Sequence, residues 1–201
     1  MRVTYFALAL AAASPLLAQM PKEVPGKPDV KLAVPGHYTV ESKHTQIHFS
    51  VMHMGFTPYS GSFSDASGTL DLNPAKPAET RVSISVPTAS AWTPVQKLTD
   101  ELRSPMFFDP AKYPAMTFVS DRVTFRGTRA TIVGKLTMHG VTRPLTLEAS
   151  FVGAGTMMGK RNVGFTATGT LKRSDYGVTA ALPLVSDEVK IDIAAAFEQP
   201  A

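Results

Sequence analysis

Two histidines near the start of the first apolar region have a spacing that could bind a metal. His44 and His48 are four residues apart, the spacing with which a helix presents two imidazoles to one zinc ion. The residues around them alternate with a period of two, however, since Ile47, Phe49 and Val51 share one face. In a strand, four residues span about 13 Å at about 3.3 Å per residue. The sequence therefore does not favour a metal site here.

His53 is the best candidate for a polar contact or for acid–base chemistry. Its parity places it on the same face as Phe49 and Val51. A histidine on such a face is most often a hydrogen-bonded core residue, although it could donate to a ligand carbonyl or phosphate, or act as a general acid or base. An enzyme needs a nucleophile with its base, paired carboxylates or a metal set. The chain has no cysteine, and the sequence singles out no such arrangement, so we predict that the protein is not an enzyme.

A long β-hairpin is predicted around His139 and Gly140. Glycine adopts positive φ freely and histidine is among the residues enriched there, so a two-residue turn fits. This turn pairs Met138 with Val141 and continues to Ala130 opposite Ala149. In that register one face is apolar except for Arg143, and the other face is mostly polar. A slip by one residue would turn one apolar set outward, so the agreement of both strands supports the register.

One short helix is predicted before the hairpin. Thr93 can act as the N-cap, Pro94 as the first helical residue and Gln96 as the capping-box partner, with Pro105 ending the helix. Its apolar stripe consists of Val95, Leu98 and Leu102. The cluster Met106, Phe107 and Phe108 follows directly, and it could plug one end of a sheet structure or form a lid over a ligand cavity.

The remaining apolar runs alternate with period two and predict strands. Separate strands are expected at 116–120 and 122–126, a loop at 153–159, and a turn at 174–177 that an Arg173–Asp175 contact could brace. In all, about eight strands are predicted, and a sheet of that length removes its edges by closing on itself. We therefore predict an all-β fold, an eight-stranded antiparallel barrel with one short helix.

The two ends of the chain and its charge limit the functions further. Residues 1–18 combine one arginine, a short apolar run and small residues, which is typical of a secretory signal peptide. Residues 19–36 are rich in proline and predict a flexible spacer before a domain at 37–198. The formal net charge of +4 is scattered and is not interleaved with aromatic residues, which argues against nucleic-acid binding. The expected location is the periplasm.

Several stretches resemble the YceI-like lipid-binding family and occur in the expected order over roughly His37–Glu198. They read HTQIHFSVMHMGFTPYSGSF, LTDELRSPMFFDPAKYPAMTF, GKLTMHGVTRPLTLEASF, LKRSDYGV and SDEVKIDI. The resemblance implies a lipocalin-like barrel that binds polyisoprenoids, isoprenoid quinones or similar lipids non-covalently. At 98–102 this chain reads LTDEL, where the family usually has a charged pair before a His-Leu. No head-group role is carried over for that histidine.

These observations together predict a periplasmic carrier for a long isoprenoid lipid or quinone, with no other cofactor and no metal. The alternatives are a small barrel enzyme, a cyclase or isomerase acting on a lipid, and a filled barrel that serves only as an interaction module. Transient membrane contact and a homodimer are both compatible with the sequence. The predicted ligand-contacting residues are Phe49, Val51, His53, Leu98, Leu102, Met106, Phe107, Phe108, Ile132, Leu136, Met138, Leu145, Leu147 and Phe165.

Overall fold

The computed structural model describes residues 23–199, so the predicted signal peptide and residues 19–22 of the predicted spacer lie outside the described residues. Ten strands and one α-helix follow each other along the chain. They are β1 (Gly36–Val40), β2 (Gln46–His53), β3 (Thr57–Phe63), β4 (Ser67–Leu72), β5 (Arg81–Pro87), α1 (Gln96–Leu102), β6 (Ala115–Arg126), β7 (Arg129–Met138), β8 (Val141–Met157), β9 (Lys160–Lys172) and β10 (Glu188–Glu198).

The strands form one closed antiparallel barrel, as predicted. Closure depends on β10, whose end pairs with β1 through Val40 and Phe197 and whose first half pairs with β2 through Ile47 and Ile193. A 3₁₀ turn at Ser42–His44 separates β1 from β2, so these two segments occupy one strand position along β10. In the same way β3 pairs with β2 and β4 pairs with β1, so β3 and β4 together occupy the next strand position. The barrel therefore has eight strand positions.

The central hairpin of β7 and β8 has the predicted register in all its pairs, from Met138 with Val141 to Arg129 with Ser150. His139 and Gly140 have φ values of 52° and 76°, which is the conformation that a two-residue primed turn requires. On the outer face, the hydroxyls of Thr137 and Thr142 are 2.8 Å apart.

Two strand predictions were wrong in their boundaries. Residues 116–126 form one strand, because the register shift between Ser120 and Arg122 is a bulge that the ladder continues past. The predicted loop at 153–159 is also wrong, since β8 continues to Met157 and turns into β9 there. Its glycines make room for a neighbouring segment, because a Cβ atom on Gly155 would lie 2.1 Å from the carbonyl oxygen of Pro25.

That neighbouring segment is the described part of the predicted spacer, residues 23–35, which lies against β8. The backbone groups of Lys27 and Ala154 exchange two hydrogen bonds of 3.0 Å, and a 3₁₀ turn follows at Val30–Leu32. The hydroxyl of Tyr38 donates to the carbonyl of Val34 over 2.9 Å. The described part of the spacer is therefore attached to the barrel wall by backbone hydrogen bonds.

Helix α1 begins later than predicted. Its N-cap is Val95, which makes no side-chain cap, and the predicted cap Thr93 bonds elsewhere: its N–H donates to the hydroxyl of Thr99 over 2.9 Å. Val95 is 51% exposed, so the predicted stripe is reduced to Leu98 and Leu102. Within residues 23–199, no helix has the length and apolar character needed to span a membrane.

The two ends of the barrel differ. The far end, where β8 turns into β9, holds a buried apolar cluster that includes Tyr38, Leu70, Leu72, Val163 and Phe197. The opposite end carries α1, the β2–β3 turn and the connection from β9 to β10. We call this end the mouth end.

Candidate ligand-binding cavity

The barrel interior contains a cavity of about 560 Å³. Its lining follows from the alternation of side chains along each strand, which directs every second residue inward. On β2 these residues are Ile47, Phe49 and Val51, and on β10 they include Ile191 and Ile193. Most of the lining side chains are apolar, and the cavity lies within the size range of sites for drug-sized organic molecules.

Thirteen of the fourteen residues predicted to contact a ligand line this cavity. They are Phe49, Val51, His53, Leu98, Leu102, Phe107, Phe108, Ile132, Leu136, Met138, Leu145, Leu147 and Phe165. The lining residues from the β7–β8 hairpin are those of its apolar face, because the register directs that face into the barrel.

Met106 is the exception, and its prediction as a cavity residue was wrong. Its side chain is 64% exposed and does not line the cavity. The connection after α1 turns sharply here, with the N–H of Phe107 bonded to Ser104 and the N–H of Phe108 bonded to Leu102. Sequence periodicity carries no information in such a turn, so the apolar cluster could not be divided into inward and outward residues.

Aromatic rings and α1 cover the cavity at the mouth end. The ring of Phe63 lies 5.6 Å from that of Phe49 and 5.2 Å, edge to face, from that of Phe108. Leu98 and Leu102 approach from the helix. Offset and edge-to-face pairs of this kind add to the stabilisation that apolar burial provides.

The cavity reaches the surface at the tip of the β2–β3 turn. The N–H of Met54 donates to the carbonyl of Leu184 over 2.6 Å, and both side chains line the cavity while being 50% and 58% exposed. Phe56, at the same tip, is 85% exposed. His53 is also exposed, so the interpretation of His53 as a buried core residue was wrong. It lies where β2 ends, and the barrel wall no longer encloses it.

Arg173 holds the other side of the mouth. It is only 6% exposed, and its guanidinium donates hydrogen bonds of 2.7–3.0 Å to four backbone carbonyls in the connection before β10. These carbonyls belong to Val178, Ala180, Val185 and Ser186. Burial lowers the pKa of the Arg173 guanidinium.

The predicted Arg173–Asp175 contact was wrong, because the carboxylate that braces this turn is that of Asp187. It accepts hydrogen bonds from the N–H and the hydroxyl of Ser174 over 2.8 and 2.7 Å. These two bonds stabilise the ionised form and lower the pKa of Asp187. The sequence favoured Asp175 because it is only two residues from Arg173. In the folded chain, however, Asp187 lies beside Ser174 although it is fourteen residues after Arg173.

Tyr59 is a cavity residue that sequence reasoning missed. It lies opposite Val51 in the β2–β3 pair, and it lines the cavity. Among the side-chain nitrogen and oxygen atoms of residues 23–199, the Tyr59 hydroxyl oxygen is the one that is buried and has no hydrogen-bond partner. The parity of β3 could have placed Tyr59 inside the barrel, but the lack of a partner depends on the tertiary structure.

The same part of the chain, residues 23–199, holds no group of three or more His, Asp or Glu side chains placed to bind a metal. The polar residues that line the cavity are Thr45, His48, His53, Tyr59, Thr80, Thr93, Glu101 and Arg173. The arrangement is therefore suited to hold an apolar molecule and to offer it a small number of polar contacts.

Known proteins show similarity over most of the chain. The sequence model of the YceI-like domain matches residues 38–197. Protein YceI of Salmonella arizonae is 35% identical over 164 residues, which cover 80% of this chain and 86% of the relative.

Two solved structures have a similar fold. The crystal structure of Burkholderia cenocepacia BcnA superposes with a TM-score of 0.71 at 24% identity, covering 78% of this chain and 98% of that one. A structure from Saccharophagus degradans described as a polyisoprenoid binding domain gives a TM-score of 0.61 at 15% identity, covering 81% and 98%. At these identities the two superpositions support the fold.

Proposed function

The chain belongs to the YceI-like domain family, and we propose that it is a carrier that binds one long isoprenoid lipid or isoprenoid quinone non-covalently inside the barrel. The observation that carries this proposal is the apolar cavity of about 560 Å³ that reaches the surface beside Met54 and Leu184. An apolar chain gains free energy when it leaves water for such a cavity, at roughly 25 cal/mol per Å² of apolar surface buried. The similar fold of the polyisoprenoid binding domain from Saccharophagus degradans agrees with this ligand class.

The proposed role is binding, and the lipid leaves chemically unchanged. Among residues 23–199, no group of three or more His, Asp or Glu side chains is placed to bind a metal at the mouth residue His53. Arg173 already uses its guanidinium to hold the backbone. What the cavity supplies is shape and an apolar environment, which are the properties that a carrier needs.

The test is extraction of the natively purified protein with organic solvent, followed by mass spectrometry and quantitation. We expect close to one lipid per protein, unmodified. A matched pair of variants locates the lipid: Ile132→Trp fills the cavity, whereas Val133→Trp adds the same ring to the outer face of the same strand. Ile132→Trp should lower the occupancy and Val133→Trp should not. A wild-type protein that yields no lipid, and takes up none when incubated with a labelled polyprenol, would reject the carrier.

We further propose that the lipid enters and leaves at the mouth while the protein contacts a bilayer. Phe56, Met54 and Leu184 are exposed apolar side chains, and the latter two also line the cavity, so an apolar path joins the interior to the surface. Insertion of such side chains into a lipid interface is favourable in proportion to the apolar area buried.

Transfer of a fluorescent polyprenol from protein to vesicles tests this contact. Phe56→Asp should slow the transfer severalfold, because a charge at the tip opposes insertion. Met158→Asp is the control: Met158 is 88% exposed but lies in the β8–β9 turn at the far end. Equal rates for both variants would show that the tip does not contact the bilayer.

Export to the periplasm is the remaining part of the proposal, and residues 1–18 support it as a signal peptide by their composition. The intact mass of protein from a periplasmic extract should correspond to a chain that begins near Gln19. A chain recovered with residues 1–18 attached in the membrane fraction would contradict export as a free protein.

A further inference from the structure

The polar side chains that line the cavity differ in whether their hydrogen bonds are satisfied. The hydroxyl of Thr45 donates to the carbonyl of Ala196 over 3.3 Å, and that of Thr93 donates to the carbonyl of Val95 over 3.0 Å. The guanidinium of Arg173 is bonded to four carbonyls. The Tyr59 hydroxyl is buried and makes no hydrogen bond.

An unpaired hydroxyl of this kind is unfavourable for the folded protein, because it has lost its bonds to water and gained none. Tyr59 lies directly opposite Val51, and Phe63 is on the same inward face. An ordered water needs two to four polar partners, and the cavity that Tyr59 lines is mostly apolar. A ligand in the cavity can supply the missing partner.

We infer that the lipid carries a neutral oxygen near one end of its chain, and that this oxygen accepts a hydrogen bond from the Tyr59 hydroxyl. This inference rests on the proposed function and names the ligand class more closely: an isoprenoid chain with a carbonyl or hydroxyl oxygen.

Charge supports a neutral head group over a phosphate. Arg173 is the one Lys or Arg side chain among the residues that line the cavity, and its guanidinium is occupied by the carbonyls of Val178, Ala180, Val185 and Ser186. The two histidines that line the cavity, His48 and His53, are exposed to solvent. A phosphate buried beside Tyr59 would therefore have no buried cation free to pair with it, and burial of an unpaired charge is strongly unfavourable.

The position of Tyr59 also gives the lipid a direction. Tyr59 is the third residue of β3, close to the mouth end, and it lies opposite Val51 near the end of β2. From there the cavity continues to Phe125 and Ala130 near the β6–β7 turn at the far end. The oxygen therefore lies near the mouth, and the isoprenoid chain extends into the barrel.

The test compares delipidated wild type with Tyr59→Phe, which removes the hydroxyl and keeps the ring. Three probes are titrated: a short-chain isoprenoid quinone, farnesol, and squalene, which is an isoprenoid hydrocarbon without oxygen. One neutral hydrogen bond contributes about 0.5–1.5 kcal/mol, so affinity for the oxygen-bearing probes should fall about 2- to 12-fold. Affinity for squalene should be unchanged. A loss for both oxygen-bearing probes identifies any terminal oxygen as the partner, and a loss for the quinone alone identifies a carbonyl.

Two further measurements separate hydrogen bonding from packing. The carbonyl stretch of the bound quinone should be shifted to lower frequency in wild type and should return to the free value in Tyr59→Phe. The ligand-free variant should melt at the same temperature as wild type or higher, because an unsatisfied buried group has been removed.

Equal losses for all three probes, or no loss for any, would overturn the inference and leave the carrier intact. Failure of wild type to bind squalene and both oxygen-bearing probes would instead count against the proposed function. The two failures are thus distinguishable.

Discussion

Replacement of Arg173 by methionine should destabilise the barrel by about 3–5 kcal/mol. The side chain is 6% exposed, and it donates hydrogen bonds of 2.9, 3.0, 2.7 and 2.9 Å to the carbonyls of Ser186, Val178, Ala180 and Val185. A hydrogen bond to a charged group contributes about 1.5–3 kcal/mol. Simple addition would approach the whole stability of a typical domain, about 5–15 kcal/mol.

The net loss is smaller than that sum because the connection that carries these carbonyls is partly exposed. Several of its residues, including Ala181 and Leu184, face solvent, so water can reach some of the freed carbonyls. Loss of one partner from a buried charged network usually costs about 3–5 kcal/mol. Methionine refills much of the volume of the arginine stem, which separates loss of the guanidinium from loss of packing.

Urea unfolding followed by circular dichroism measures the effect. With a slope near 2 kcal/mol per M, the midpoint should fall by about 2 M. Arg129→Met is the control: Arg129 is exposed at the far-end turn, and its loss should change the stability by less than about 0.5 kcal/mol. Lipid should also exchange faster in Arg173→Met, because Val178, Ala181 and Val185 of the same connection line the cavity. A loss below about 1 kcal/mol would refute the reasoning that these four bonds hold the mouth.

Three further predictions concern the hairpin, the cavity and the pH dependence. A double variant, Thr137→Cys with Thr142→Cys, should form a disulfide on oxidation, seen by mass and gel mobility, because these residues face each other with side-chain oxygens 2.8 Å apart; a pair shifted by one residue should not. Ligand-free Ile132→Trp should keep its unfolding free energy within about 1 kcal/mol, since the ring enters the cavity, whereas a loss of about 3 kcal/mol would indicate a packed interior. For Asp187, the pKa in the folded state lies below the ordinary 3.8. The ionised carboxylate therefore stabilises the fold fully above about pH 4, and this stabilisation is lost as the pH falls through the folded-state pKa. The stability difference between wild type and Asp187→Asn should therefore shrink as the pH is lowered below about 4. A difference that stays constant over that range would mean that ionisation is not its source.

Local rules were sufficient to predict the hairpin and the fold class. The His139–Gly140 turn and the alternation on each side act over neighbouring residues, and side-chain parity fixes which face is buried once the turn is known. For the same reason the inward residues of the long strands, such as Leu136, Leu145 and Phe165, could be named before the structure. Apolar and polar residues alternate along these strands because each strand of a barrel has one inner face and one outer face.

The errors lie where the chain has no period or where distant segments meet. Met106 and Phe107 are adjacent in a turn, and their opposite orientations depend on hydrogen bonds to Ser104 and Leu102. The glycines of β8 indicated a loop, but residues 25–27 from a separate part of the chain occupy the room that they leave.

The sequence alone thus determined the alternation and the turn at His139–Gly140, because these follow from interactions between near neighbours. The closed barrel was predicted from the number of strands, although its closing pairs join β10 to the distant strands β1 and β2. Only the tertiary structure decided the partners of Arg173, the orphan hydroxyl of Tyr59 and the exposure of His53. Each of these depends on which backbone segment or which space lies beside a side chain after the barrel has closed. A long polar side chain such as that of Arg173 could bond to several segments of the chain that lie at similar distances in sequence. The closed fold decides which of these segments lies within hydrogen-bond distance.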